Sequence, residues 1–593
     1  MDEILKKSFS NEAQIYDETT QYLLLDYDAM LQDIVRNIPH QKDDEFILLD
    51  LGCGTGNLLR LISNNFPNAI LYGLDFSANM LDIAKTKCLP NDRIKFVEMD
   101  MFDLGKSSLP YFDVIVSSYV LHNLHNKNQY EDIVRLINEH LVFNGTFILA
   151  DLVDLQDAHK HTEYIAKLVS QMRKHNLTDE EIIRWIGILE CEDSPLPLNE
   201  TIHVLNRTFF TDLNINEYHQ SASTIVKAKN NNLITLKLEL LFCGVQKNDI
   251  ADEVYAKQNP QNIWKTGNNG IFISLDNKYD VLVGLNHQSN ALSPYRFSRQ
   301  GKSYKLIKNE HVLNVAIDIM QIPEWAYKQV GSENVSDYFV YEGGGYLHLA
   351  YKGCSFDEKQ KCKFCSTSRR ESSADHSAEE ISNILSAVLK EIPDDVHFCL
   401  GGGTYLPFSE NVEYFKTIIK CIRDNGKTNP IWVECIPPSI EDIDALIDEG
   451  ATAFGFNLEI WNNEKRKSIC PGKSKVSRDY YLKACRHILE KCGPNKVGSC
   501  IIVGLDDRKS VVQSIEALTN LGIIPCILPY KDFGTGNFSV QGYVTYDFYW
   551  LSKYAASFST RNDIEFQKSQ GCLKCPCCTV IHDIQKQEKG EQL

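Results

Sequence analysis

From residue 346 onward, short apolar runs alternate with helical stretches, and this alternation restricts the fold more than any other feature of the chain. The runs are YLHLAY (346–351), VHFCLGG (396–402), PIWVEC (430–435), AFGFNLEI (453–460), VGSCIIVGL (497–505) and IIPCIL (523–528). Between them lie segments such as AEEISNILSAVLKEI (378–392) and IEDIDALIDEG (440–450). Strands joined through helices pair in parallel, so six such units predict a parallel βα barrel, expected to be partial. The loops that follow the strands then gather on one face, where chemistry collects. One of them carries Cys354, Cys362 and Cys365 in a Cys-x7-Cys-x2-Cys pattern, directly after the first run. Three thiolates close in sequence can hold a four-iron cluster and leave one iron without a protein ligand. Zinc would need a fourth ligand, for which His376 is the candidate at hand.

At 593 residues the chain is long enough for two or three domains. A net charge of −18 argues against a nucleic-acid backbone as the main partner, since no excess of Lys and Arg exists to displace counterions. Arg369 and Arg370 are read as a solvated face. The first residues, MDEILKKSFSNEAQIYD, do not form a secretory signal, and no apolar run approaches the length that spans a bilayer. A cytoplasmic protein without membrane contact is expected. Of 19 cysteines, four precede residue 250 and 15 lie from Cys354 onward, which in a reducing compartment points to metal or redox chemistry. Singly placed ones such as Cys399, Cys421, Cys485 and Cys526 are read as small core residues.

The first half opens with amphipathic helical spacing over residues 11–38 and then reads FILLDLGCGTGNLLRLI. Phe46–Leu51 suits a buried parallel strand, Gly52, Gly54 and Gly56 make the turn, and Asn57 opens a helix. Such a turn lets the backbone approach a nucleoside and a carboxylate, with helix N-terminal amides as donors. AILYGLD ends at Asp75, placed for ribose hydroxyls, and IKFVEMD ends at Asp100, placed for an adenine amino group. FDVIVSSYVLHNL leads to His122, which is either a general base or simply hydrogen-bonded at a strand end.

Asp50-Leu-Gly-Cys-Gly-Thr-Gly56, Asp75 and Met99-Asp100 together resemble the class I S-adenosylmethionine (SAM)-dependent methyltransferases. The resemblance covers about residues 10 to 247 and implies a Rossmann-like domain over 1–247. It implies SAM bound by Asp50, Gly52, Gly54, Gly56, Asp75 and Asp100. LVFNGTFILAD (141–151) and an antiparallel strand LITLKLELLFCGV (233–245) would complete the sheet. Residues 152–232, with helices near 156–175 and 178–188, would cover the methyl acceptor.

Residues 248–262 read as a linker and 263–340 as a β-rich extension, with a hairpin at Asp276-Asn277-Lys278. The barrel is then expected over 341–565 and a cysteine-rich tail over 566–593, unstructured beyond His582.

The cysteine loop, with Phe364 before its last cysteine, resembles the radical SAM superfamily, although the usual first gap is three residues and here it is seven. The resemblance implies a [4Fe–4S] cluster on Cys354, Cys362 and Cys365, a second SAM site and a 5′-deoxyadenosyl radical. An electron donor such as flavodoxin or ferredoxin would then be required. Gly401, Gly402, Gly403 and Thr404 would receive the methionyl amino group. Glu434 and Glu459 lie near strand ends and would bind SAM ribose or substrate. A carboxylate in a barrel mouth needs a partner, and Arg466 is the expected one unless it holds the SAM carboxylate. Gly504-Leu505 resembles the adenine-contacting segment. The set ECIPP, NLEIW, Pro471-Gly472-Lys473 and GCLKCPCC resembles a branch near biotin synthase, found in nitrilase-type gene clusters, that also ends in a cysteine cluster.

In that closing cluster, Cys572, Cys575 and Cys578 are expected to hold an auxiliary iron–sulfur cluster or zinc, with a redox dithiol as the alternative. The expected whole is a bifunctional SAM enzyme acting on a small molecule or peptide. The alternatives are a radical enzyme with a non-catalytic first domain, and a zinc-stabilised scaffold.

Overall fold

The computed structural model describes residues 13–589 except 89–90, 125, 192, 219–220, 259–269, 286–292, 344, 350–353, 366–375, 402, 405–407 and 531–544. The chain divides into two compact units between Asn232 and Leu233, ahead of the boundary expected at 247.

The first unit is built on a seven-stranded sheet ordered β3-β2-β1-β4-β5-β7-β6. Its strands are β1 (Ile47–Leu51), β2 (Ile70–Asp75), β3 (Ile94–Glu98), β4 (Phe112–Ser118), β5 (Leu141–Leu152), β6 (Thr211–Tyr218) and β7 (Ser223–Asn230). β1 to β5 are parallel, whereas β7 runs antiparallel between β5 and β6. Strand order reverses between β1 and β4, which opens a crevice at their C-terminal ends. Alternate residues of β1 and β4 feed two cores: Leu49, Leu51 and Ile115 on one face, Leu48, Val114 and Val116 on the other.

Two expectations change here. LITLKLELLFC is helical over Leu233–Cys243 and belongs to the second unit. A short, almost uniformly apolar run carries no period that separates a buried helix from a buried strand, and this helix is buried nearly all round. The antiparallel strands come from within residues 152–232, after helices Ala158–Lys174, Asp179–Cys191 and Leu198–Arg207.

The second unit contains an antiparallel sheet, order β10-β11-β13-β8-β9 with β12 on β11. It is formed by β8 (Gly270–Leu275), β9 (Tyr279–Gly284), β10 (Tyr295–Gln300), β11 (Ser303–Lys308), β12 (His311–Val312) and β13 (Ile317–Ile319). The expected hairpin joins β8 to β9, with Asp276 and Asn277 at φ 51° and 54°. A small pair, β14 (Gln329–Val330) and β15 (Glu333–Asn334), precedes the main sheet.

That main sheet runs β16-β17-β18-β19-β20-β21-β22 in chain order. β16 (Phe339–Glu342) pairs antiparallel with β17 (Tyr346–Leu349). β18 (His397–Leu400), β19 (Ile431–Glu434), β20 (Ala453–Gly455), β21 (Val497–Val503) and β22 (Ile524–Pro529) follow in parallel. Among the described residues β16 and β22 do not pair, so the barrel is open, as the partial reading expects. Side chains alternate across the strands. Leu347, Phe398, Ile431 and Phe454 lie on one face; His348, Cys399, Trp432 and Glu434 lie on the other.

The tail beyond His582 is helical over Ile581–Glu588, correcting the expectation of an unstructured end. Asp583 there pairs with Lys237 at 2.6 Å, both almost wholly buried, a through-space partner that a polar tail sequence does not reveal. No helix among the described residues is long and apolar enough to cross a membrane.

Candidate functional site

At the crevice of the first unit lies a cleft of about 530 Å³, its open mouth included, lined by residues such as Tyr16, Gly52, Gly54, Asp75, Met99 and Tyr119. Gly52, with φ +79°, leaves no room for a side chain, because a Cβ would stand 2.5 Å from Val120 Cγ2. The amides of Gly54 and Ser77 donate to the Asp75 carboxylate at 2.9 and 2.8 Å, fixing it on the cleft wall. Asp50 is buried, and its Oδ2 has no hydrogen-bond partner. Burial, reinforced by the charge of Asp75, pushes its pKa up to about 8. An orphaned buried acceptor behind a glycine turn fits a ligand that brings an ammonium group. Gly56 (φ +80°) closes the turn, and a Cβ there would meet Ala84 at 2.9 Å.

Asp100 stands beside this cleft. Its carboxylate caps the turn Met101–Lys106 by accepting from Phe102 N at 3.1 Å, and Met99 and Met101 form the wall. Helix Tyr16–Leu23 supplies what the sequence reading did not attach to the site. Tyr16 lines the cleft, and Asp17 accepts from Thr55 Oγ1 (2.6 Å) and Asn57 Nδ2 (3.0 Å) and pairs with Lys87. A lone aspartate in an amphipathic stretch carries no signal of such a strap.

His122 is buried, with Nδ1 2.5 Å from Asp151 Oδ1 and Nε2 3.2 Å from the amide of Asn123. Asp151 also accepts from Leu121 N and His122 N at 2.8 and 3.2 Å. Burial alone would lower the His122 pKa; the Asp151 charge and hydrogen bond outweigh it and raise the value. Asn123 reaches the cleft wall directly.

In the second unit the cysteine loop is pinned at both ends. Ser355, next to Cys354, donates from N and Oγ to Thr404 O at 2.8 and 2.9 Å. Lys363 N donates to Ile469 O, and Gly472 N to Gln360 O, both at 2.9 Å. Gly472 is required there, since a Cβ would lie 2.6 Å from Gln360 O. The loop therefore sits at the C-terminal end of the sheet, joined to the glycine turn after β18. Phe364 and Cys362 pack against Ile469, Cys470, Leu505 and Tyr530. Cys354, Cys362 and Cys365 are half-buried thiols outside any disulfide. His376, the expected fourth zinc donor, stacks on Tyr338 at 3.9 Å.

Gly401 faces Glu434, whose Cβ would stand 3.1 Å from one placed on the glycine. Gly402 lies outside the described residues, Gly403 has φ +138°, and Thr404 is buried. Glu434 accepts from Asn457 Nδ2 at 2.8 Å, and burial raises its pKa. Glu459 holds the left-handed backbone region (φ +65°), anchored by Glu459 N to Cys500 O and Ile502 N to Glu459 O, both 2.8 Å. Its partner is Lys473 Nζ at 2.6 Å, which corrects the expected pairing with Arg466. Arg466 is buried and donates to Leu458 O, Lys473 O and Val476 O, with its guanidinium over the Tyr481 ring. Three carbonyls hold it as a strut for the loop that carries Lys473.

Of the closing cysteines, Cys575, Cys577 and Cys578 pack in one cluster, with the Cys575 and Cys577 thiols hydrogen-bonded. Cys572 meets His348 and Cys399, their ligand atoms all within 4.8 Å of one another. Cys399, read above as a core residue, is adjacent in register to His348 on the neighbouring strand. Burial opposes a charge on His348, yet the Cys399 thiol lifts its pKa to about 10; Cys572 and His348 draw Cys399 down to about 6 against burial.

Residues 49–147 match the family model described as a methyltransferase domain, and residues 350–518 match the radical SAM superfamily. The chain is 31% identical over 116 residues to the malonyl-[acyl-carrier protein] O-methyltransferase of Priestia megaterium, covering 20% of this chain and 40% of that protein. It is 26% identical over 219 residues to the carboxy-S-adenosyl-L-methionine synthase of Campylobacter lari, covering 35% of this chain and 91% of that protein. The chain spans between 40% and 57% of the length of the malonyl-[acyl-carrier protein] O-methyltransferases it matches. A solved structure, the magnesium protoporphyrin IX methyltransferase of Synechocystis PCC 6803, aligns with 38% of this chain and 98% of that one at 13% identity and a TM-score of 0.29.

Proposed function

From a chain that carries a methyltransferase domain and a radical SAM domain, we propose a bifunctional SAM enzyme that methylates and radically modifies a small-molecule or peptide metabolite. The observation that carries the reading is the cysteine loop, fastened to Thr404 on one side and to Ile469 and Gly472 on the other at the C-terminal end of a parallel sheet.

In the first unit the glycine turn takes the methionyl end of SAM, with Asp50 facing its ammonium and Asp75 its ribose. Asp100 supports the adenine side through the turn it caps. Methyl transfer is an in-line displacement in which positioning does most of the work. His122 is the proposed general base: Asp151 holds its Nδ1, and its Nε2, bonded to Asn123 Nδ2 at 3.2 Å, would exchange that bond for one to the acceptor. His122→Asn would lower methyl-transfer kcat by about 10²–10⁴-fold with SAM affinity kept; an unchanged kcat removes the role.

In the second unit Cys354, Cys362 and Cys365 would hold a [4Fe–4S] cluster, which when bound supplies the electron for cleaving SAM to methionine and a 5′-deoxyadenosyl radical. The turn Gly401–Thr404 receives the methionyl amino group. Glu434 and the Lys473–Glu459 pair orient ribose or substrate and exclude water from the sheet mouth. A flavodoxin- or ferredoxin-type protein is the proposed electron donor.

Mass spectrometry after incubating the full chain with SAM, with and without a low-potential reductant, tests the whole reading. S-adenosylhomocysteine together with reductant-dependent 5′-deoxyadenosine supports it. Lack of the second product after anaerobic iron–sulfide reconstitution overturns the radical half. If the Cys354→Ala/Cys362→Ala/Cys365→Ala variant binds no SAM, the first unit is not a methyltransferase.

A further inference from the structure

On the cysteine-bearing face of the main sheet a second constellation lies deeper than the loop. His348 on β17 and Cys399 on β18 are paired in register, so their side chains leave the same face side by side. Cys572 reaches them from the C-terminal segment. Its neighbours explain how: Gly571 N donates to His397 Nδ1 at 3.0 Å, and a Cβ on Gly571 would strike Trp432 at 2.3 Å. Leu573 lies over Gly498, whose own Cβ would sit 2.5 Å from it. Missing side chains at Gly571 and Gly498 therefore create the slot that delivers Cys572 to the sheet. The segment is held there by His582 Nε2 on Leu573 O (2.6 Å), Lys237 Nζ on Pro576 O (2.8 Å) and Leu282 N on Cys577 O (2.9 Å).

We propose that His348, Cys399 and Cys572 form a second metal site that takes a single borderline ion of the zinc class. One imidazole nitrogen and two sulfurs within 4.8 Å of one another match the donors such an ion prefers. Two thiolates on a tetrahedral ion with metal–sulfur distances near 2.3 Å lie about 3.8 Å apart, so the contraction needed is about an ångström or less. Cys575 lies outside that set of three and is the candidate for the fourth position of a tetrahedral ion. Its Sγ lies 2.8 Å from the Cβ position of Gly343, just past the strand that pairs with β17, and it acts electrostatically on both His348 and Cys572. The Glu342 carboxylate, 4.0 Å from His348 Nε2, stands beside the imidazole as an outer partner. Cys577 and Cys578 lie outside the set of three; the Cys577 thiol hydrogen-bonds that of Cys575, and its carbonyl accepts from Leu282 N. Binding the ion releases the thiol protons and involves no redox change. Its consequence is structural: the last segment of the chain is clamped to the first two parallel strands.

The test uses the full chain with Cys354, Cys362 and Cys365 all changed to Ala, so that loop-bound iron is absent and failure stays separate from that of the radical reading. The anaerobic, chelator-stripped protein is titrated with Co²⁺ alone. Binding of one equivalent, with thiolate-to-cobalt charge-transfer bands and tetrahedral ligand-field intensity displaced by Zn²⁺, is expected. Cys399→Ser and His348→Gln should each weaken binding by more than the roughly 10–100-fold that loss of an outer-shell partner costs. Cys578→Ser should not weaken it. Circular dichroism checks folding, and His348→Gln decides the matter if Cys399→Ser does not fold. The proposal is overturned by unweakened binding in His348→Gln, by loss of binding in Cys578→Ser alone, by absence of cobalt binding in the folded protein, by iron and sulfide at the site, or by a Cys399–Cys572 disulfide in the anaerobically isolated protein.

Discussion

The two units build their sites by opposite means. In the first, one turn of consecutive residues, Asp50 to Gly56, supplies the cleft floor through backbone shape, and a single carboxylate at Asp75 is fixed by two amides. In the second, contacts between separate segments assemble the site: Ser355 meets Thr404, Lys473 meets Glu459, and Cys572 meets Cys399. A backbone site tolerates side-chain exchange around it and fails when a glycine is filled. A side-chain site should fail when one partner of a pair is lost.

The sharpest break of that contrast is Cys362→Ala, which is expected to abolish 5′-deoxyadenosine while S-adenosylhomocysteine formation continues. Product analysis by mass spectrometry reads both, and retained 5′-deoxyadenosine would sink the cluster assignment. Next comes Lys237→Met, which leaves Asp583 buried without its partner. A loss of about 3–5 kcal/mol is expected for breaking such a pair, seen as a lower denaturation midpoint for the second unit with the first unit's transition unmoved. Gly52→Ala adds a Cβ at positive φ against Val120, costing roughly 1–2 kcal/mol for the backbone alone. Calorimetric titration of SAM into the cysteine-loop variant should show about tenfold weaker binding by the first unit; an unchanged Kd would mean the turn yields.

The smallest effect is a pH dependence. His122 carries a raised pKa in the folded state because of Asp151. Its contribution to stability is therefore full below its unfolded value, near 6.5, and is lost as pH rises through the higher folded value. His122→Asn should flatten that part of the stability profile in thermal melts across neutral to mildly alkaline pH, and an identical profile in the variant would exclude the His122–Asp151 pair as its source.

Much of the fold was legible because its determinants are local. The glycine turn, the alternating runs and the hairpin at Asp276-Asn277 each lie within a few neighbouring residues, where sterics and period decide the outcome. Leu233–Cys243 was misread as a strand because its apolar run has no period, and β6 and β7 were missed because TDLNINEY and STIVKAKN are too polar to announce a sheet. Arg466 is the expected partner of a barrel-mouth carboxylate, yet a helix turns it onto carbonyls while Lys473, seven residues later, reaches Glu459.

By itself the sequence determined where a nucleoside-type turn and a three-cysteine loop must stand, because both depend on backbone freedom and spacing along the chain. Only the tertiary structure decided which charges and thiols are paired. Cys399 reads as packing until strand register sets it beside His348 and the C-terminal segment brings Cys572 to both. Register and long-range docking depend on the fit of whole surfaces, and no local stretch of sequence carries that information.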